Sequence, residues 1–185
     1  ATETTVIRNN RWRCDHGWDI DLDDGSSNYH IYNNLCLHGG LKLREGFART
    51  VENNIMVNNT FHPHVWFANS QDIFRHNIVT TPYRPIQVKE WGKETDTNFF
   101  VTKQGLEQAQ KRGTDLHSLY GDPLFIAPEK GDYRVKENSP ALKTGFRNID
   151  MKHFGVQCPH LKALAATPEL PVFKIPEEKP ETVQT

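Results

Sequence analysis

An asparagine returns along this chain at a nearly constant interval, each time followed by a short apolar stretch. The copies are IRNNRW, IYNNLC, VENNIM, FRHNIV and DTNFFV, whose last asparagines are Asn10, Asn34, Asn54, Asn77 and Asn98, in steps of 24, 20, 23 and 21 residues. Three positions earlier stand Ile7, Ile31, Val51, Phe74 and Thr95, so an apolar position travels with the asparagine through four of the five copies. A fixed period marks a solenoid, in which each repeat buries its apolar face only against its neighbours. A repeat of about 22 residues, rich in β-branched residues and poor in helix formers before residue 103, predicts an all-β fold, a right-handed parallel β-helix of about five coils. Each coil is three short strands and three turns. Asparagines at one turn can stack, each amide donating to the next, which satisfies groups that burial would otherwise leave unpaired. A leucine-rich repeat also carries a periodic asparagine, but its L-x-x-L-x-L frame is absent here.

A second column follows from the period-2 alternation of strand side chains. Aligned on the repeat, IDLDDG (20–25), LKLREG (41–46), VWFANS (65–70) and IQVKE (86–90) place Ile20, Leu41, Val65 and Ile86 in one inward row. Leu22, Leu43, Phe67 and Val88 form the next. The outward rows are then Asp21–Lys42–Trp66–Gln87 and Asp23–Arg44–Ala68–Lys89, while Asp24, Glu45, Asn69 and Glu90 lie where strand gives way to turn.

The coils are expected to occupy residues 1–104. GLEQAQKRG (105–113) reads as a short helix ended by Gly113. With the Pro- and Gly-punctuated segment that follows, residues 105–156 should cap the last coil. Residues 157–185 read as an extended Pro-rich tail. Residue 1 enters almost directly into a repeat, and solenoid ends need a polar cover. The first coil is therefore expected to be covered by further N-terminal coils of a longer polypeptide or by another chain, a homo-oligomer included.

Composition narrows the partners. Lys+Arg 22 against Asp+Glu 23, with no basic block, removes the main driving force for nucleic-acid binding. No apolar run approaches the roughly 20 residues that cross a bilayer. Cys14, Cys36 and Cys158 are an odd set without CxxC spacing, and read as buried thiols rather than a zinc site or a disulfide framework. ATETTVIRNNRW shows no export signal, which leaves the compartment open between cytoplasm and a processed, secreted or periplasmic form.

The densest chemical feature is DHGWDIDLDDGSSN, with Asp15, Asp19, Asp21, Asp23 and Asp24 inside ten residues. Asp19-x-Asp21-x-Asp23 resembles the start of an EF-hand. However, Gly25 falls one place late, and His30 stands where a bidentate Glu is required. Looser calcium binding by Asp19, Asp21 and Asp23 remains an alternative. The next coil places Glu45 above Asp24 and diagonal to Asp23, and neighbouring strands lie about 4.8 Å apart. Retaining glycosidases hold their two carboxyl groups about 5–5.5 Å apart, whereas inverting enzymes need about 6.5–9.5 Å. Adjacent-coil carboxylates match the retaining spacing. Trp66, Trp18 and Trp91 offer faces for a sugar ring, and Lys42, Arg44, His16 and His38 offer hydroxyl contacts.

WDIDLDDGSSNYHIYNNLCL, then GLKLREGF and VENNIMVNN, and the closing GDPLFIAPEKGDYRVKENSPALKTGF resemble the right-handed β-helix glycoside hydrolases, most closely glycoside hydrolase family 120, the β-xylosidases. The similarity covers about residues 7–156, and DIDLDDGS followed one coil later by REG is its most specific part. That resemblance implies a retaining enzyme of β-xylosides or xylo-oligosaccharides that requires no cofactor. Its aspartate nucleophile would come from the set Asp21, Asp23 and Asp24, and its acid/base would be Glu45; strand parity, which points Asp23 outward beside Glu45, makes Asp23 the first choice. The related β-helix fucosidases and xylanases are expected to place the second acid two coils on, where this chain has Trp66, Ala68 and Asn69.

Two alternatives stand beside it. A calcium-dependent β-helix polysaccharide lyase would use the acidic strand for metal and Lys42 or Arg44 as base, leaving Glu45 without a role. A non-catalytic carbohydrate-binding β-helix would use the same aspartates only to hold hydroxyls or calcium.

Overall fold

The computed structural model describes residues 3–166. Of these, residues 3–155 belong to one compact unit, built on a parallel β-helix, and residues 156–166 fall in a second. Coil 1 contributes β1 (Thr5–Arg8) and β2 (Arg11–Trp12), and coil 2 contributes β3 (Ile20–Leu22), β4 (Tyr29–Tyr32) and β5 (Leu35–Cys36). Coil 3 adds β6 (Leu41–Leu43), β7 (Arg49–Glu52) and β8 (Ile55–Met56), and coil 4 adds β9 (Phe61–Pro63), β10 (Ile73–Arg75) and β11 (Ile78–Val79). Coil 5 supplies β12 (Glu94–Asp96) and β13 (Phe99–Phe100); helix α1 (Lys103–Gln110) and β14 (Leu119–Tyr120) follow. Strands of successive coils pair in parallel, giving sheets in the orders β1-β4-β7-β10-β12, β2-β5-β8-β11-β13-β14 and β3-β6-β9. The solenoid therefore runs to about six turns rather than five. Its last rung, β14, comes after the helix, where the asparagine repeat has already stopped.

The asparagine column forms as expected. Asn10 Nδ2 donates to Asn34 Oδ1 at 3.1 Å, Asn34 to Asn54 at 3.0 Å, Asn54 to Asn77 at 3.1 Å and Asn77 to Asn98 at 3.1 Å. Each receiving Oδ1 also accepts the backbone N–H of the asparagine below, as Asn77 Oδ1 does from Asn54 N at 2.9 Å. Removing one amide would leave several buried backbone groups unpaired, at a cost of about 1–3 kcal/mol each. The doubled asparagines have a second cause. Asn9, Asn33, Asn53, His76 and Thr97, each just before a ladder asparagine, all sit near φ +55°. Asn tolerates this left-handed conformation better than most residues.

Strand alternation divides the apolar residues between two clusters. Ile31, Val51, Phe74, Cys36, Met56, Val79 and Phe100 point into the solenoid with Ile20, Leu22, Leu41, Leu43 and Phe61, and α1 lays Leu106 and Ala109 on that interior. Thr102 caps α1 by accepting Gly105 N at 3.2 Å. Leu35, Ile55, Ile78 and Phe99 point outward instead, and Val135, Ala141, Phe146 and Ile149 cover them. The closing segment, which includes the antiparallel pair β15 (Phe125–Ala127) and β16 (Asp132–Val135), therefore packs along the outer side of the sheet that carries these residues. It reaches as far as Asn53, whose side chain exchanges hydrogen bonds with the backbone of Arg147.

At the opposite end, β1, β2 and β3 each pair on one side only among the described residues, and Val6 is half exposed. The region read as an extended tail begins differently: α2 (Pro159–Ala166) is a helix, with proline at its first position and alanine and leucine behind it. The rest of that tail, 167–185, lies outside the described residues. No helix among the described residues is long and apolar enough to cross a membrane.

Candidate functional site on the three-stranded sheet

The outer face of β3-β6-β9 collects the acidic strand and its neighbours. Asp21 pairs with Lys42 and Lys42 with His62 across the rungs. Arg44 N donates to Leu22 O and His64 N to Leu43 O, which sets Asp23, Arg44 and His64 in the next outward row. Gly25 N donates to Glu45 O, so Asp24 stands level with Glu45, as the repeat alignment required.

The third member of each row differs from expectation. The coil 4 strand is Phe61–Pro63, not 65–67, so His62 and His64 occupy the places assigned to Trp66 and Ala68. The interval from ladder asparagine to strand was the available signal: Leu41 follows Asn34, and Phe61 follows Asn54, by the same seven positions. Extra residues after Pro63 form a loop in which Val65 adopts φ +53° and Trp66 turns inward. Trp66 is 4% exposed, meets Phe61 edge-on, and donates Nε1–H to Leu43 O at 2.9 Å. It is a core residue, not a sugar platform. Phe67 and Ile86, expected to point inward, are exposed.

Lys42 is the electrostatic centre of the face. Its Nζ lies 3.0 Å from Asp21 Oδ1, 3.2 Å from Asp23 Oδ1, and 4.4 Å from the centre of the Trp18 ring. Burial alone would lower its pKa, but the bonds to Asp21 and Asp23 outweigh that and raise it. The Lys42 hydrogen bond in turn holds Asp23 below the usual carboxylate range, helped by the Asp24 backbone and Arg44. Arg44 spans two coils. Its Nη1 lies 2.7 Å from Asp24 Oδ1 and 3.4 Å from Asp23 Oδ1, and its Nε lies 2.9 Å from Glu45 Oε2. That Oε2 is buried and makes no aligned hydrogen bond.

The imidazoles stay neutral at physiological pH. His62 is pushed down to about 4 by burial, then by His64 and Arg84, and its Nε2–H donates to Asn59 Oδ1 at 2.7 Å. Burial, with Lys42 and Arg44 beside it, also lowers His64, whose Nε2 is buried without a hydrogen-bond partner. Trp18 meets both rings edge-on, at 5.9 and 6.0 Å.

Asp19 leaves this cluster although its parity matches. Its Oδ1 accepts Cys14 N at 2.6 Å, and its Oδ2 accepts His38 N at 3.0 Å and Gly40 N at 3.2 Å. The chain can approach this closely because a Cβ at Gly39 would stand 2.5 Å from Asp19 N. Asp19 is thus a buried cap that positions Trp18, rather than a ligand aligned with Asp21 and Asp23. No three His, Cys, Asp or Glu side chains among the described residues are gathered as a metal site. His38 lies at Cys14 O, 3.1 Å away, and His16 is exposed on the loop before β3. Trp91 is also away from the carboxylates, packed edge-on to Trp66 in coil 5.

The face therefore brings together Asp21, Asp23, Asp24, Lys42, Arg44, Glu45 and Trp18, and adds His62 and His64. No protein-family model, no curated protein and no solved structure matches the chain.

Proposed function

We propose that this face is the reaction centre of a retaining glycosidase acting on β-xylosides or xylo-oligosaccharides, with Asp23 as nucleophile and Glu45 as acid/base. The observation that carries the reading is the Arg44 guanidinium, which binds carboxylates of the acidic strand and the glutamate one coil on. Adjacent strands are about 4.8 Å apart, close to the roughly 5–5.5 Å between the carboxyl groups of a retaining enzyme. Asp23 suits attack on the anomeric carbon because Lys42 favours its ionised form. Glu45 would protonate the leaving oxygen, then take the proton of the water that hydrolyses the glycosyl-enzyme. Asp24 is the next candidate nucleophile, and Asp21 the third. The preference for xylose rests on the sequence resemblance.

The lyase alternative fits less well. A proton-abstracting base must be neutral, whereas Lys42 is held protonated by two aspartates. Those carboxylates are also engaged by cations of the chain itself. A calcium requirement is tested with a chelator, which should leave turnover unchanged.

Nitrophenyl β-xyloside turnover by wild type, Glu45→Ala and Asp23→Ala tests the proposal. Glu45→Ala should accumulate a glycosyl-enzyme, and azide should restore its turnover as a glycosyl azide of retained configuration. Asp23→Ala should give no burst. Near-normal activity in Glu45→Ala, or an inverted product, would overturn the assignment. Binding without turnover in wild type would favour a carbohydrate-binding protein.

A further inference from the structure

The outward face does not end at the imidazoles. His64 bridges in parallel to Ile86, and Ile86 N donates to Pro63 O at 3.0 Å, so coil 5 continues the same surface one rung on. Arg84 is exposed there and close enough to depress His62. Beyond it opens a groove of about 380 Å³ lined by Pro85, Gln87, Val88, Lys89, Trp91 and Arg112. Arg112 comes from the turn after α1, so the capping helix and the coil 5 loop build the groove jointly. Its charge is one-sided. Among the described residues the Arg84 and Lys89 side chains make no ion pair or hydrogen bond, and the Arg112 guanidinium meets only Gln108 O, at 3.4 Å. Glu90, the nearest acid in the loop, reaches instead to Asn69 N. Trp91 is held in place by an edge contact with Trp66 and a tilted one with Tyr83, and what remains of its ring lines the groove.

We infer that this groove is a subsite for an acidic sugar, a uronate unit carried by the glycan whose neutral linkage is cleaved at the Asp23–Glu45 end. The inference rests on the proposed glycosidase reading and extends it to substrate class. Each rung advances about 4.8 Å, so a glycan lying along the solenoid passes from the carboxylates, over the imidazoles, to the cations. A fixed indole supplies a face for a pyranose ring, and unpaired guanidinium and ammonium groups supply its carboxylate contacts.

The test uses the full chain and two oligosaccharides of equal length, one unbranched xylo-oligosaccharide and one bearing a single glucuronate, with binding measured by calorimetry and kcat/KM by product release. Wild type should prefer the acidic oligosaccharide by about tenfold or more, and the preference should shrink as salt is raised. In Lys89→Gln/Arg112→Gln the ratio should fall towards one; because it is a ratio, a general loss of folded protein cancels. Equal affinity for both sugars in wild type, or an undiminished ratio in the double variant, would overturn the subsite. A wild type that hydrolyses neither sugar, yet binds the acidic one through Lys89 and Arg112, would remove the glycosidase reading and leave the subsite standing.

Discussion

Asn98 Nδ2 donates to Asp115 Oδ1 at 2.9 Å, so the column of stacked amides ends on a carboxyl group. The same oxygen accepts Ser118 Oγ at 2.7 Å and Tyr83 OH at 3.2 Å, while Oδ2 is buried without a partner. Burial outweighs these hydrogen bonds and raises Asp115 to about 6.

That shift predicts a pH-dependent contribution of unusual sign. Between about pH 4 and 6 the folded chain holds a proton on Asp115 that the unfolded chain has released, so stability falls as pH rises through this window. The loss is on the order of 3 kcal/mol and is complete above the folded pKa. His62, depressed to about 4, works in the opposite direction over an overlapping range. The Asp115→Asn variant isolates the effect. Asparagine keeps the acceptor and tolerates the φ of +57° at this position. Urea melts should show the variant gaining on wild type from pH 4 to 7. A constant difference across that range would contradict the assignment.

Arg49 and Asp72 are both fully buried and bonded through Nε to Oδ1 at 3.0 Å and Nη2 to Oδ2 at 2.5 Å. Asp72 Oδ1 also accepts Arg49 N, and Arg49 donates to Arg44 O. Asp72→Ala would strand a buried guanidinium, and should cost about 3–5 kcal/mol by chemical denaturation. The double variant Arg49→Leu/Asp72→Leu should lose less than Asp72→Ala alone, because no uncompensated charge remains.

Trp66 and Trp18 should separate stability from ligand binding. Trp66→Ala opens a cavity in the interior and should cost about 3–5 kcal/mol in a thermal or urea melt. Trp18→Ala loses a cation–π contact with Lys42, worth about 0.5–2 kcal/mol, and should weaken xylo-oligosaccharide binding at least as clearly as it lowers stability. A large stability loss in Trp18→Ala with unchanged binding would make Trp18 a packing residue as well.

The repeat alone determined the parallel β-helix, the amide ladder and the register of the acidic strand against LKLREG. The reason is local: a ladder asparagine needs the same turn in every coil, and Ile20 to Asp24 and Leu41 to Glu45 are uninterrupted stretches of equal length that pair residue for residue. Tertiary structure decided what lies beyond that register. Trp66 reads as an outward residue only until the loop after Pro63 is seen to absorb the extra length of coil 4; packing against Phe61 then takes the indole inside and brings His62 and His64 out. Asp19 has the parity of a site residue, yet backbone N–H groups from residues 14, 38 and 40 claim both its oxygens, a convergence of loops that no spacing reveals. The sixth rung was hidden for a similar reason. Asp115 and Ser118 replace the asparagine there, and they close the ladder only because α1 brings the chain back beneath Asn98. Arg112 enters the coil 5 groove by the same return, from a position 21 residues after Trp91, which lines the same groove.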